Sequence, residues 1–179
     1  MGSRVVAKVK FDRKAYKASV TEVFGTRRAS VKVGVYGDKG AEPVEVREGE
    51  KPPPITVLDL AEFHEFGLGN NPQRSFIRAY WDANTDRLKT MLLKLMEGVI
   101  ARAVRSGAPI SDADRRGVLE KLGLKMRGEI QARISDGIEP PLQERTIIRK
   151  GSSTPLIDTG QLRSSIDYTV NLDDTAGDG

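Results

Sequence analysis

The residues whose types could do chemistry stand near the carboxyl end of the sequence, in the triplet Asp158-Thr159-Gly160. An aspartate in such a triplet can share a proton with a second carboxylate, and the pair can activate a water molecule for peptide hydrolysis. The sequence contains one copy of the triplet, so the second carboxylate would have to come from another subunit. Asp158 is therefore either half of a catalytic pair or a structural residue.

The neighbours of the triplet favour the structural interpretation. Nineteen residues follow Gly160, whereas retroviral-type aspartic proteases place the triplet early and build most of a β-rich domain after it. The same residues have the pattern of a helix N-terminus. Asp158 can be the N-cap, and Gln161, at the third helical position, then completes a capping box. Ile157 and Leu162 can add a hydrophobic staple. We predict a short capped helix here.

Other chemistry-bearing residue types are scarce. His64 is the sole histidine and cysteine is absent, so triads, disulfides and zinc sites built on several such ligands are excluded. The acidic residues of 40–66 lack the spacing of a calcium loop, and the turn at 67–71 lacks the strand and the Gly-Lys-Ser/Thr of a phosphate-binding loop. Arg74 and Arg78 lie four apart on a predicted helix and are interpreted as exposed structural residues. We predict no catalytic residue, no metal and no cofactor.

Charge is segregated along the sequence. Residues 1–39 carry ten Lys/Arg against three acidic residues, whereas residues 40–66 carry seven acidic residues against two basic ones. Such blocks suit head-to-tail contacts between subunits. The alternative is a nucleic-acid-binding accessory protein that uses the basic N-terminal face, although the aromatic residues are not interleaved with the basic ones as stacking platforms would be. No apolar stretch approaches the roughly 20 residues of a membrane span.

Hydrophobic periodicity predicts the elements that position these residues. Strands are expected at 4–11, 30–36 and 166–171, and helices at 12–25, 55–67, 74–105 and 111–136. Val31, Val33 and Val35 are expected on one face of the second strand. The last two helices are amphipathic and are joined by a short turn, so they should pack antiparallel. The predicted buried face of 111–136 consists of Val118, Leu119, Leu122, Met126, Ile130 and Ile134.

Two long segments are predicted to lack regular structure. Residues 38–54 form a proline-rich acidic arm, and residues 138–156 form an extended loop. We expect one α+β domain over residues 1–171, with a small, mostly antiparallel sheet packed against two long antiparallel helices, followed by a flexible acidic tail at 172–179. The residues of the arm and the loop expected at subunit interfaces are Glu42, Glu45, Arg47, Glu48, Pro52, Pro53, Pro54, Arg145 and Lys150.

Two blocks of the sequence, residues 60–84 and 140–170, carry recognisable patterns. The first block has His64-Glu65-Phe66-Gly67 followed by Pro72, Arg74, Ser75, Phe76, Ile77 and Arg78. The second block has Pro140, Pro141, Leu142, Thr146, Lys150, Gly151, Pro155, Leu156, Asp158, Thr159, Gly160, Leu162, Ser165 and Ile166. In this order the blocks resemble the tailed-phage virion morphogenesis family, which includes neck, head–tail joining and tail-completion proteins.

This resemblance implies a structural virion protein without catalytic residues. Family members form rings, often of six or twelve subunits, between portal and tail, with DNA passing through the lumen. The implied partners are further copies of the chain, portal, adaptor or stopper proteins, tail-terminator or tail-tube proteins, and genomic DNA bound without sequence specificity, but no membrane. The protein is then expected in the virion neck, after assembly in the host cytoplasm.

Overall fold

The sheet is a four-stranded antiparallel meander. The computed structural model describes residues 9–12, 17–20, 29–46, 48–49, 51–108, 110–144, 147–148, 156 and 159–172, the first two ranges by their backbone. The described strands are β1 (Val9–Asp12), β2 (Lys17–Val20), β3 (Ser30–Gly34) and β4 (Asp167–Asn171). They lie in the order β1-β2-β3-β4, and each pairs antiparallel with its neighbour.

Two long helices carry most of the remaining core. The described helices are α1 (Gly37–Ala41), α2 (Val57–Phe66), α3 (Arg78–Ser106), α4 (Asp112–Asp136) and α5 (Gln161–Ser165). The helix α4 contacts α3 as well as β3 and β4. The α+β class, with a small antiparallel sheet and two long helices, is therefore as predicted, with α4 packed on the sheet and α3 packed on α4.

The helix α4 begins and packs as its sequence predicts. The Ser111 hydroxyl accepts from the Asp114 backbone N–H, and the Asp114 carboxylate accepts from the Ser111 backbone N–H, which completes a capping box. All six residues of the predicted apolar face are buried, each at most 4% exposed. The predicted face of β3 is confirmed as well, since Val31, Val33 and Val35 have no exposed surface.

The helix predicted at 12–25 is wrong. Residues Lys17–Val20 form β2, which pairs with β1 on one side and with β3 on the other. The apolar residues of 12–25 have the spacing of a helix. In the fold, however, the backbone N–H and C=O groups of β2 bond to β1 on one edge and to β3 on the other. Such tertiary pairing overrides local propensity. The strand predicted at 4–11 is described from Val9 onward, and residues 1–8 lie outside the described residues.

The segment predicted as an arm without regular structure is partly folded onto its own domain. Residues 37–41 form α1, and Pro43 bridges to Thr56. The Val44 N–H donates to the Ile55 carbonyl over 3.2 Å, and the Val57 N–H donates to the Glu42 carbonyl over 2.9 Å. The segment is thus a loop whose two ends are fastened side by side.

Ion pairs fix α3 and α4 in antiparallel orientation. Near its start, α3 presents Arg87 to Glu129 in the second half of α4, and near its end it presents Arg102 to Asp114 at the start of α4. Tyr80 and Lys125 also donate hydrogen bonds to Glu129, over 2.6 and 3.0 Å. Burial raises the pKa of Glu129, but the hydrogen bonds from Arg87, Tyr80 and Lys125 outweigh it and hold that pKa at about 2.

A glycine sets the distance between α4 and the sheet. A Cβ built at Gly123 would lie 2.5 Å from a ring carbon of Tyr168 and 2.8 Å from a methyl carbon of Val31. Gly128, five residues along the same helix, has no atom within 4 Å of the corresponding position. The sheet therefore approaches α4 most closely where the helix has no side chain.

We expect Gly123→Ala and Gly128→Ala to change stability in opposite directions. Alanine is favoured over glycine in a helix interior by about 1 kcal/mol, so Gly128→Ala should stabilise the protein by up to that amount. At Gly123 the overpacking against Tyr168 and Val31 should outweigh this gain, with a net loss of about 1–3 kcal/mol. Urea denaturation of the two variants measures both effects, and equal stabilisation by both would contradict the close contact.

The Glu129 cluster should make stability depend on acid. Because the folded-state pKa of about 2 lies below the ordinary value of 4.5, the contribution of Glu129 is complete above 4.5 and is lost as the pH falls towards 2. The wild type should therefore lose on the order of 1–3 kcal/mol more across this window than Glu129→Gln does. Parallel stability–pH curves for the two proteins would refute the assignment.

Candidate functional site

The first block, residues 60–84, spans the turn between α2 and α3. The helix α2 begins with a capping box, in which Thr56 and Asp59 each accept the other's backbone N–H. It ends at Gly67, which has a left-handed conformation with φ 67°. A Cβ at Gly67 would lie 2.8 Å from the backbone nitrogen of Gln73, so this reversal of the chain requires glycine.

A buried carboxylate lies inside this turn. Glu65 has no exposed surface, and both of its carboxylate oxygens accept hydrogen bonds. One oxygen accepts the backbone N–H groups of Phe76 and Ile77, over 2.8 and 3.0 Å. The other accepts the backbone N–H of Arg78 over 2.9 Å and the Ser75 hydroxyl over 2.5 Å. Four donors thus converge on one side chain.

Glu65 caps the first residue of α3 from outside the helix by accepting the Arg78 N–H. The Ser75 hydroxyl accepts the next N–H, that of Ala79, over 3.0 Å. The residue at the N-cap position, Ile77, makes no side-chain capping bond, so the first N–H groups of the helix need acceptors from elsewhere. A carboxylate at this position also interacts favourably with the positive end of the helix dipole. With about four acceptor positions on a carboxylate, the four donors use its hydrogen-bonding capacity. The geometry is that of a capping group.

Arg74 joins the two blocks, residues 60–84 and 140–170. Its guanidinium donates from Nε to the Pro140 carbonyl over 2.7 Å and from a terminal nitrogen to the Pro141 carbonyl over 3.1 Å. Its backbone N–H donates to the His64 carbonyl over 2.7 Å. Burial lowers the pKa of Arg74, and the negative charge of Glu139 opposes that effect.

The predicted setting of Arg74 on an exposed helix face is wrong. The residue is 4% exposed and precedes α3, which begins at Arg78 instead of residue 74. The physical reason is that residues 75–78 must run across the Glu65 carboxylate before the helix can begin. Phe76 is fully buried beside this carboxylate, and His64 and Phe66 are half-buried on α2.

The helix in the second block begins later than predicted. The helix α5 starts at Gln161, and Gly160 occupies the N-cap position with φ 85°. Gln161 is therefore the first helical residue, not the third, and the predicted capping box is wrong. A left-handed residue cannot belong to the helix, so the helix cannot start at Thr159. Asp158 and Ile157 lie outside the described residues, and Leu162 of the predicted staple is buried.

Gln161 has a different role, which is to fasten the acidic loop. Its side-chain N–H donates to the Pro43 carbonyl over 3.0 Å, and its side-chain oxygen accepts the Glu45 backbone N–H over 2.8 Å. The Thr159 hydroxyl accepts the backbone N–H of Gln161 over 3.3 Å. The Asp-Thr-Gly block thus contacts the start of the loop at 42–54.

The residues predicted at subunit interfaces fall into two groups. Glu42, Glu45, Glu48 and the three prolines at 52–54 are exposed. Arg47, Arg145 and Lys150 lie outside the described residues, as do the side chains of the basic segment 1–28 on which the nucleic-acid-binding alternative depends.

The described residues offer no arrangement typical of metal chemistry or membrane insertion. Within the described ranges, no group of three or more His, Asp or Glu side chains is placed to hold a metal ion. No helix in that part of the chain combines the length and the apolar composition that crossing a bilayer requires.

Comparison of the chain with protein-family models, with curated proteins and with solved structures finds no match.

Replacing Glu65 by Gln should destabilise the protein far more than the same change at Glu62. An amide nitrogen cannot accept a hydrogen bond, so at least one buried N–H is left without an acceptor and the helix dipole loses its counter-charge, for a loss of about 2–4 kcal/mol. Glu62 lies half-buried on the same helix, and Glu62→Gln should cost less than about 0.5 kcal/mol. Urea denaturation of both variants tests this, and equal losses would contradict the capping role.

Proposed function

We propose that this protein is a structural component of a tailed-phage virion. In this proposal it forms a ring in the neck that joins the head to the tail or completes the tail, and DNA passes through the lumen. The neighbouring rings are portal, adaptor or stopper proteins on one side and tail-terminator or tail-tube proteins on the other. The proposal starts from the resemblance of residues 60–84 and 140–170 to the virion morphogenesis family.

The observation that carries the proposal is the contact between these two blocks. Arg74, from the first block, donates both of its described guanidinium hydrogen bonds to Pro140 and Pro141, with which the second block begins. Glu65 is held by donors within its own block. The residues that carry the resemblance therefore bind one another's backbone groups. Such contacts are expected when a sequence pattern maintains a fold.

The two ends of the domain differ in a way that suits a ring. A closed ring is built from heterologous contacts, in which one face of a subunit meets a different face of the next. Gln161 fastens an acidic, proline-rich loop near the carboxyl end of α4, whereas the turn between α3 and α4 lies at the opposite end of that helix. Two unlike surfaces are thus available for successive subunits.

Deleting the gene in the phage or prophage that encodes this chain tests the function. We expect DNA-filled heads and separate tails to accumulate, because the joining ring is missing, and negative-stain microscopy of the lysate would count them. Complementation with the wild-type gene should restore joined particles. Complementation with Glu65→Gln should restore fewer, since less folded protein is present.

Joined, infectious particles in the deletion strain would refute the proposal. The nucleic-acid-binding alternative makes a different prediction, namely DNA retention by the isolated protein that weakens steeply with salt, in a strain whose particles are complete.

A further inference from the structure

The turn between α3 and α4 exposes an apolar groove. Its lining residues are Ile100, Ala103, Val104, Gly107, Ala108 and Ile110, and its volume is about 460 Å³. Val104 is 77% exposed there. We call this surface the tip groove. The groove is wide open to solvent, and an apolar surface of this kind can take part in a contact between proteins.

The surroundings of the tip groove are basic. Residues 100–116 contain Arg102, Arg105, Arg115 and Arg116 against Asp112 and Asp114, a net charge of +2. Arg102 pairs with Asp114, and Arg115 pairs with Asp112. The excess positive charge is therefore that of Arg105 and Arg116, which are both exposed. An acidic and partly apolar segment fits such a surface.

The loop at residues 42–54 has that composition. We call it the acidic loop. It contains Glu42, Glu45, Glu48 and Glu50 against Arg47 and Lys51, a net charge of −2, and it ends in Pro52-Pro53-Pro54. The three prolines are exposed. The Ile55 N–H donates to the Pro53 carbonyl over 2.8 Å, so the segment turns at Pro54. Because each proline has a fixed φ, such a segment loses little conformational entropy when it docks on an apolar surface.

The acidic loop cannot reach the tip groove of its own subunit. Gln161 fastens the loop, and two residues later Arg163 donates to the Ser135 hydroxyl over 3.0 Å, at the carboxyl end of α4. Ser111, at the tip, is 24 residues from Ser135, a distance of roughly 36 Å along a helix. Between its fastened ends at Glu45 and Ile55, the loop can project from those ends by roughly 16 Å at most, because the chain must run out and back.

We propose that the acidic loop of one copy docks in the tip groove of the next copy. The prolines at 52–54 cover the apolar groove around Val104, and the glutamates of the loop face Arg105 and Arg116. The contact is heterologous, so each copy can bind two others, and repetition gives a ring or a filament. This inference rests on the proposed function, since that function requires an assembly of identical subunits.

Disulfide trapping tests the contact directly, because the chain has no cysteine. In a protein that carries both Pro53→Cys and Val104→Cys, mild oxidation should give a ladder of dimers, trimers and larger species on non-reducing gels, which collapses to monomer on reduction. Each single-cysteine variant should run as a monomer on the same gels. The pair Pro53→Cys with Leu93→Cys is the matched control, because Leu93 is 48% exposed on the same helix but lies three turns from Val104, and it should give no ladder.

Charge reversal tests the electrostatic part. Arg105→Glu in the double-cysteine protein should lower the yield of the ladder at least fivefold, and adding Glu48→Arg should restore it. Lys94→Glu, a reversal on the same helix away from the tip, should leave the yield unchanged. High salt should reduce the ladder yield of the double-cysteine protein with Arg105 intact, since exposed charges are screened.

Several results would overturn the inference. The absence of a ladder at every protein concentration would do so, as would efficient dimer formation by Val104→Cys alone, which indicates a tip-to-tip contact. Binding to anionic vesicles that Arg105→Glu abolishes, without any ladder, would assign the groove to membranes. Closed rings of the oxidised double-cysteine protein that contain no 53–104 disulfide would overturn this contact and leave the neck function intact. A ladder, together with complete particles in the deletion strain, would support the contact and refute the neck function.

Discussion

The rest of the structure depends on the burial of the Glu65 carboxylate beneath the first turn of α3. The 29-residue helix begins at Arg78, whose backbone N–H donates to this carboxylate together with those of Phe76 and Ile77, and its own N-cap residue supplies no side-chain acceptor. The position of Glu65 therefore sets where α3 starts and how it leaves α2. Arg74, held between these elements, attaches the chain at Pro140 and Pro141 to the same point. Two side chains, Glu65 and Arg74, thus join α2, the start of α3 and the segment at 140–141.

Local patterns were sufficient to predict the elements whose burial is periodic in the sequence. The apolar faces of α4 and β3 were correctly predicted because each buried residue recurs at the spacing of its own secondary structure. The strand β2, within the segment at 12–25, was not predicted. The apolar spacing of that segment is that of a helix, and the strand forms because β1 and β3 pair with it. Pairing between strands is not visible in the periodicity of one of them.

The candidate site was located from the sequence, but the roles within it were not. His64, Glu65, Gly67 and Arg74 stood out as a block, yet the donors to Glu65 lie ten to thirteen residues away and the acceptors of Arg74 more than sixty residues away. Gln161 was assigned to a capping box, and instead it binds residues 43–45 through a tertiary contact. Spacing within a helix predicts contacts along that helix, and these contacts are between elements.

The close approach at Gly123 affects the position of the distant turn between α3 and α4, because any tilt of these helices at Gly123 moves that turn. With no side chain on α4 at that point, the helix lies directly against Tyr168 and Val31, so a side chain there would tilt the hairpin of α3 and α4 about this contact. Ser111 lies twelve residues from Gly123, a lever arm of roughly 18 Å. A tilt of about 5° at Gly123 would therefore move the tip by roughly 1.5 Å. In any closed assembly that uses the tip, the packing of one glycine would influence the curvature and hence the number of subunits around the circle.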